Sequence, residues 1–134
     1  MPYPQKLVLT DLMREVFLHR LEHLEQLDAD DMADLFYDED AEDQLDPVQL
    51  CEAAILFAAQ FRASNGKLVA VHIQNVVQAE ILAEALEGCT FFGNYQKGDA
   101  VYRHAAKSAA ELLSTVLDRE VVAYIDPVPQ HAGR

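Results

Sequence analysis

Hydrophobic residues follow a helical period through the first part of the chain. Thr10 and Asp11 suit the start of a helix, and the apolar residues after them recur about once per helical turn. Those residues are Leu12, Val16, Phe17, Leu21, Leu24 and Leu27. The pattern predicts an amphipathic first helix. The preceding stretch from Met1 to Lys6, which contains two prolines, is predicted to be extended.

A shorter second helix is predicted where Asp28, Asp30 and Asp31 precede a few apolar residues. Carboxylates are favourable at a helix N-terminus because they meet unpaired backbone N–H groups and the positive end of the helix dipole. The apolar residues are Met32, Leu35 and Phe36. The following run, residues 38–44, has Ala41 as its only apolar residue and is predicted to be a solvated, mobile loop.

Asp46, Pro47 and Gln49 form the clearest helix-start signal in the chain. Aspartate can cap a helix, proline suits its first position, and the glutamine can reach back to the cap. The predicted helix runs from Pro47 to about Ala63 and ends at the turn sequence Ser-Asn-Gly of residues 64–66. Apolar residues surround most of it, which predicts the central and most buried helix of the fold. They are Leu50, Ala53, Ala54, Ile55, Phe57, Ala58 and Phe61.

From Lys67 onward the hydrophobic period changes from helical to alternating. The alternation favours a strand, and continuation into one long helix is the alternative. The alternating residues are Val69, Val71 and Ile73. Asn75 and Gln78 then predict a capped helix that ends at Gly88. Residues 90–97 predict a small hairpin about a Gly-Asn turn.

The last third of the chain predicts one long helix, a strand and a tail. Asp99 caps an alanine-rich helix that reaches about Leu117, residues 121–125 are predicted as a last strand, and residues 127–134 as a flexible tail. Together the elements predict an α+β fold: a single compact, helix-rich domain over residues 1–134 with a small sheet. An all-α fold is the alternative.

The negative charge of the protein is concentrated in one stretch, here called the acidic segment, residues 28–46. Ten carboxylates fall within these nineteen residues, and no Lys or Arg occurs from Leu21 to Phe61. The ten are Asp28, Asp30, Asp31, Asp34, Asp38, Glu39, Asp40, Glu42, Asp43 and Asp46. The formal net charge is −13, so the rest of the chain carries only −3. Such a field attracts cations or a basic surface and repels phosphate backbones, so direct nucleic-acid binding is not expected.

Length and composition fit a protein that folds without disulfides or metal. With 134 residues, 51% of them hydrophobic, the chain can bury a core of its own. Cys51 and Cys89 lie among apolar residues and form no Cys-x-x-Cys pair, which predicts buried, reduced thiols. No signal peptide or long apolar run is recognised. We therefore expect a cytoplasmic protein of a bacterial or viral host cell, without membrane contact.

One short pattern in the first helix has the spacing of an enzyme motif. His19, Glu22 and His23 match the His-x-x-Glu-His sequence of the inverted zinc peptidases, in which two histidines one turn apart bind zinc. A match of this length is frequent by chance, and no third ligand is visible. The residues fall on the predicted solvent face of the helix, so we expect no metal site.

Two further motifs match only in part. The acidic segment has the spacing of a calcium loop at Asp28, Asp30 and Glu39, but Met32 and Ala33 stand where a ligand and the turn glycine are required. A Ser-x-x-Lys sequence, the nucleophile motif of penicillin-interacting enzymes, begins at residue 64, but this serine falls at a predicted helix end. Neither motif predicts a reaction.

A second candidate contact patch combines aromatic and basic residues near the predicted hairpin. Phe91, Phe92 and Tyr95 lie close together there, and Tyr102 and Arg103 follow on the next helix. Aromatic residues on a short hairpin can fill the core or form an exposed contact. This is the least acidic part of the sequence, and it is where we expect a small anionic ligand if one binds.

The sequence therefore predicts a non-catalytic binding protein rather than an enzyme, with no cofactor. The ten carboxylates of the acidic segment are the predicted partner-binding residues, and the partner is a basic protein surface, for example that of a nucleic-acid-binding protein. Inhibitors, immunity proteins and nucleic-acid mimics act in this way. The first alternative is a structural or self-associating protein with a solubilising acidic loop at about residues 37–46. The second is a small ligand-binding protein or enzyme.

Overall fold

The computed structural model describes residues 3–64, 69–88 and 99–123, and within these ranges it contains five helices and a two-stranded antiparallel sheet. The elements in chain order are β1 (Gln5–Leu9), α1 (Asp11–Leu24), α2 (Ala29–Leu35), α3 (Pro47–Ala63), β2 (Val69–Ile73), α4 (Val76–Glu87) and α5 (Asp99–Leu117). The α+β class predicted from the sequence is confirmed. The predicted hairpin at 90–97 and the tail at 127–134 lie outside the described residues.

The sheet pairs β1 with β2, so part of the predicted extended start of the chain lies in a strand. Leu7 lies opposite Val71 and Lys6 opposite His72, and the strands run antiparallel. Leu7 and Val71 are buried whereas Lys6 and His72 are exposed, as the period of two in a strand requires. The opening residues were predicted to be merely extended, because their pairing partner is more than sixty positions away in the sequence.

The helix starts predicted from local sequence are confirmed. Asp46 accepts the backbone N–H of Val48 at 2.9 Å, and Asn75 accepts that of Gln78 at 3.0 Å. The side chain of Gln78 reaches back to the N–H of Gln74 at 2.7 Å, one residue before the cap. These bonds satisfy backbone donors that a helix leaves unpaired in its first turn.

Two predicted boundaries are corrected. The first helix ends at Leu24 and not at Leu27. Residues 121–123 do not form a strand; the N–H of Val121 instead donates to the hydroxyl of Ser114 at 2.9 Å, so the chain turns back along α5. That hydroxyl also donates to the carbonyl of Ala110 at 2.7 Å. The hydroxyl of Ser114 therefore accepts the backbone hydrogen bond that a neighbouring strand would accept in a sheet.

The core is centred on α1 and α4, which corrects the predicted role of α3. α1 packs against α3, α4 and α5, and α4 buries seven of its twelve residues, whereas α3 buries six of seventeen. Ile55, predicted to be in the core, is 52% exposed, and its neighbour Leu56 is 50% exposed. The helix is apolar on all sides, but the described part of the chain covers only one of them.

The contact between α1 and α3 combines aromatic packing with the one buried charge in the described residues. The rings of Phe17 and Phe61 meet edge to face with 5.9 Å between their centroids, and Phe57 lies 6.0 Å from Phe61. Arg14, only 4% exposed, donates to the carbonyl oxygen of Phe61 at 3.0 Å and to Asp11 at 2.9 Å. A cation at the end of a helix is favourable because the last carbonyls carry partial negative charge.

Replacing Phe57 by Ala tests the burial of the inner face of α3. The side chain is 1% exposed, so we expect a loss of about 3 to 5 kcal/mol in the free energy of unfolding from the lost burial and the cavity left behind. Chemical denaturation measures it. Ile55→Ala on the outer face is the control, with an expected loss of under about 1 kcal/mol. Equal losses in the two variants would contradict the orientation of α3.

Asp118 offers a stabilising substitution. It follows the end of α5 with a φ of 55°, the left-handed region in which a side chain is unfavourable and glycine is not. We expect Asp118→Gly to raise the free energy of unfolding by about 0.5 to 1 kcal/mol. Asp118→Ala removes the same charge but keeps a Cβ, so it should bring no such gain. Thermal denaturation of the two variants distinguishes relief of backbone strain from removal of charge.

Candidate functional site

The acidic segment begins and ends in helix caps made by its own carboxylates. Asp28 and Asp31 form a reciprocal pair at the start of α2. Asp28 accepts the N–H of Asp31 at 2.9 Å, and Asp31 accepts that of Asp28 at 3.3 Å. Asp46 caps α3 at the other end of the segment. Three of the ten carboxylates therefore have a structural role as well as a charge.

The loop within the segment is closed by one glutamine. Gln44 accepts the N–H of Asp38 at 2.9 Å and donates to the carbonyl of Asp38 at 2.7 Å. The carboxylate of Asp38 accepts the N–H of Asp40 at 3.0 Å. The loop is exposed, as predicted, and these bonds define its path. Its predicted mobility stays a prediction.

Apolar side chains attach the segment to the rest of the fold on both sides of the loop. Met32 of α2 is fully buried, and Phe36 and Leu45 pack partly buried against the core. α2 also packs along α3. The carboxylates therefore project from a frame that is fixed at three points.

All ten carboxylates of the segment are exposed, and none forms an ion pair within the described residues. Asp28, Asp31 and Asp38 accept backbone hydrogen bonds from within the segment, and Asp46 accepts them from the first turn of α3. The other six accept no side-chain hydrogen bond from the described part of the chain. They are Asp30, Asp34, Glu39, Asp40, Glu42 and Asp43. Within the described residues, no Lys or Arg side chain therefore forms an ion pair that neutralises the negative charge of this surface.

Four arginines of the described residues make ion pairs with carboxylates outside the segment: Arg14, Arg20, Arg62 and Arg119. Arg62 binds Glu22 at 3.1 Å and also Glu25, which joins α3 to α1. Arg20 of α1 binds Glu84 of α4 at 3.0 Å. The pairs of Arg20 and Arg62 stabilise contacts between helices, and none of the four arginines pairs with a carboxylate of the segment.

Arg119 lies beside the acidic loop. It lines a cavity of about 390 Å³ together with Asp38 and Asp43. Its guanidinium nevertheless binds Glu80 at 2.7 Å and Glu87 at 3.2 Å on α4. Burial would lower the pKa of Arg119, but its hydrogen bonds and charge interactions with these two glutamates outweigh burial and raise the pKa. The guanidinium of Arg119 therefore pairs with two glutamates of α4 and not with the carboxylates of the acidic loop.

The second candidate patch is described only in part. Phe91, Phe92 and Tyr95 lie outside the described residues, and so does the side chain of Tyr102. Arg103 is half-buried on α5 and lines a groove of about 470 Å³. The groove runs between α5 and residues 120–123. Its other lining residues are Lys107, Glu111, Glu120, Ala106, Ala110 and Val121 with their neighbours. Its charge is therefore mixed rather than basic.

The zinc-peptidase pattern lies on the solvent face of α1, as predicted. His19, Glu22 and His23 are all exposed, and Glu22 binds Arg62. Burial lowers the pKa of His19; the charge of Glu22 raises it and that of Arg20 lowers it further. Across the ranges that the structure describes, no three His, Cys, Asp or Glu side chains converge as a metal site would require.

The two partial motifs have structural roles. The spacing that resembles a calcium loop falls on helix α2, where Met32 belongs to the core. Ser64 caps the end of α3, and its hydroxyl donates to the carbonyl of Gln60 at 2.8 Å. Cys51, a free thiol, is half-buried, while Cys89 lies outside the described residues.

The sequence analysis missed one surface, the outer face of α3. Val48, Ile55 and Leu56 are exposed there. A signal for it was present, because a helix with apolar residues all round can turn only part of its circumference toward its own core. The role of Gln44 was missed as well, and no local signal marks it, since its partner Asp38 is six positions away.

No protein-family model matches the chain, and neither does any curated protein or solved structure. None of the helices within residues 3–64, 69–88 and 99–123 is both long and apolar enough to cross a membrane.

The histidine pair provides a test of metal binding. We expect His19→Gln with His23→Gln to change the free energy of unfolding by no more than about 0.5 kcal/mol, because both side chains are exposed. Elemental analysis of the purified protein should find no stoichiometric zinc, and a chelator should leave the melting temperature unchanged. About one zinc per chain, lost with a fall in melting temperature, would identify a metal centre.

Proposed function

We propose that this protein is a non-catalytic binding protein whose acidic segment docks on a basic surface of another protein. The observation that carries the proposal is the absence of ion pairs on all ten carboxylates within the described residues, although four arginines of the same fold form ion pairs with other carboxylates. A surface whose charge is not compensated internally can be compensated by a partner. Complementary charge steers encounter and excludes surfaces of like charge.

The frame of the segment supports docking over simple solubilisation. A solubilising loop needs charge but no fixed shape, whereas a docking surface gains affinity when its groups are held in place before binding. Here Asp28, Asp31 and Asp46 are fixed in caps, and Gln44 closes the loop between them. The partner we propose carries Lys and Arg residues spaced to meet these carboxylates.

Neutralising five of the six carboxylates whose side chains accept no hydrogen bond tests this function; Asp30, in the first turn of α2, is left unchanged. The variant is Asp34→Asn, Glu39→Gln, Asp40→Asn, Glu42→Gln and Asp43→Asn. It leaves the caps and the bond from Asp40 to Asp38 in place, so it should fold and should gain a little stability as self-repulsion is relieved. We expect affinity capture from lysate of the source cells to lose a basic partner that the natural chain captures at low salt and releases at high salt.

A charge-matched pair of smaller variants separates position from total charge. Glu39→Gln with Glu42→Gln should weaken capture, and Glu111→Gln with Glu120→Gln, on and after α5, should not. Equal capture by the five-fold variant, or no partner at any salt, would contradict the proposal.

Self-association is the second candidate function, because Val48, Ile55 and Leu56 present apolar surface to solvent on α3. Sedimentation equilibrium at low and high salt distinguishes the two. A monomer at both salts supports docking on a different partner. A dimer that grows stronger with salt supports self-association, since salt screens the repulsion between two acidic chains.

A further inference from the structure

The outer face of α3 is apolar over several turns. Val48 is 56% exposed, Ile55 is 52% exposed and Leu56 is 50% exposed. Ala59 is exposed on the same side, since residues three, four or seven positions apart share one side of a helix. Scattered apolar residues are ordinary on a protein surface, whereas several that share one side of a helix, here with Glu52 among them, can form a contact surface for a partner.

A groove lies beside this row. It separates α3 from the start of α4 and has a volume of about 430 Å³. Ala53, Leu56 and Val77 give it an apolar side, whereas Gln49, Glu52, Asn75 and Gln78 make the rest of its lining polar. Val76, at the first position of α4, is 44% exposed. An apolar row beside a groove of mixed lining suits an amphipathic helix, whose apolar anchors are spaced by one helical turn and whose flanks are polar.

Carboxylates border the apolar face. Glu52 lies on the face itself, one turn from both Val48 and Leu56, and is exposed. On the side of α2, Cys51 lies 3.6 Å from the carbonyl oxygen of Leu27.

The Cys51 thiol is affected by burial and by neighbouring negative charges. Burial raises the pKa of the Cys51 thiol, and the charges of Asp28, Asp31 and Glu52 raise it further. Leu27, whose carbonyl oxygen Cys51 contacts, directly precedes the Asp28 cap of α2, so this cap lies beside Cys51. Cys51 is three positions from Val48 and four from Ile55, and α2 packs along α3. The start of the acidic segment therefore adjoins the side of α3 that carries the apolar face.

We propose that the outer face of α3 is the docking site for an amphipathic helix of a partner protein, with an apolar ridge flanked by Lys or Arg. The proposal rests on the proposed function and specifies the partner: the acidic segment attracts its cations, and Val48, Ile55 and Leu56 contact its apolar ridge. Charge favours a basic partner helix over a second copy of this chain. A second copy bound by two-fold symmetry would place the same acidic border against itself, between two chains of net charge −13.

Two synthetic peptides test the proposal. The first is an amphipathic helix of Leu and Lys, and the second has the same lysines with Ser in place of Leu. Titration by fluorescence anisotropy should show that the natural chain binds the Leu peptide at least about ten-fold more tightly, which corresponds to about 1.4 kcal/mol. Ile55→Ser with Leu56→Ser should abolish this difference. Leu112→Ser, which removes a 39% exposed leucine from α5, should retain it.

The acidic-segment variant separates this proposal from the function on which it rests. Neutralising the five carboxylates should weaken both peptides, most strongly at low salt, while the preference for Leu persists. If both peptides bind equally to the natural chain and lose affinity only in that variant, charge docking stands and the apolar site is wrong. If the acidic variant binds both peptides like the natural chain, the proposed function fails. A dimer that Ile55→Ser with Leu56→Ser dissociates would assign the face to a second copy.

Discussion

The position of the last turn of α3 against α1 is the constraint on which the rest of the fold depends. Arg14 donates to the carbonyl of Phe61, and Phe61 packs against Phe17. One residue later, Arg62 binds Glu22 and thereby ties the same turn to the far end of α1. A buried guanidinium is costly unless its donors are satisfied, so this arrangement is possible only when α1 and α3 meet at this place. Because the acidic segment connects these two helices, their contact fixes both of its ends.

The sequence predicted correctly those features that depend only on neighbouring residues. The caps Asp46 and Asn75 were predicted because a helix start depends on a few adjacent residues. The strand β1 was not, because Leu7 has no strand partner until Val71. Its hydrophobic alternation is short, and pairing over such a separation is set by packing of the whole chain. The same reason explains why residues 121–123 of the predicted last strand do not form one, since the hydroxyl of Ser114 accepts the backbone N–H of Val121.

In the candidate site, too, the sequence predicts the local features and not those that depend on the whole fold. The sequence located the carboxylates, since charge is read directly from residue types, and placed all ten on the surface. It did not distinguish those that cap helices from those that contact only solvent, because that depends on which backbone N–H groups are nearby. The apolar face of α3 was assigned to the core for a related reason. The hydrophobic period shows which residues lie on the same side of a helix. Whether that side is buried depends on how the rest of the chain packs against it.

The distribution of charge explains how the segment is stable although no ion pair from the described residues neutralises it. Asp28, Asp31 and Asp46 sit at helix N-termini, where the helix dipole favours a negative charge and the backbone donates hydrogen bonds to it. The remaining carboxylates are exposed, so water screens their mutual repulsion and salt screens it further. The fold therefore bears the charge at little cost. Charge of this kind mainly accelerates encounter, whereas buried apolar contacts mainly slow dissociation, so a partner that meets both surfaces would be both found quickly and held.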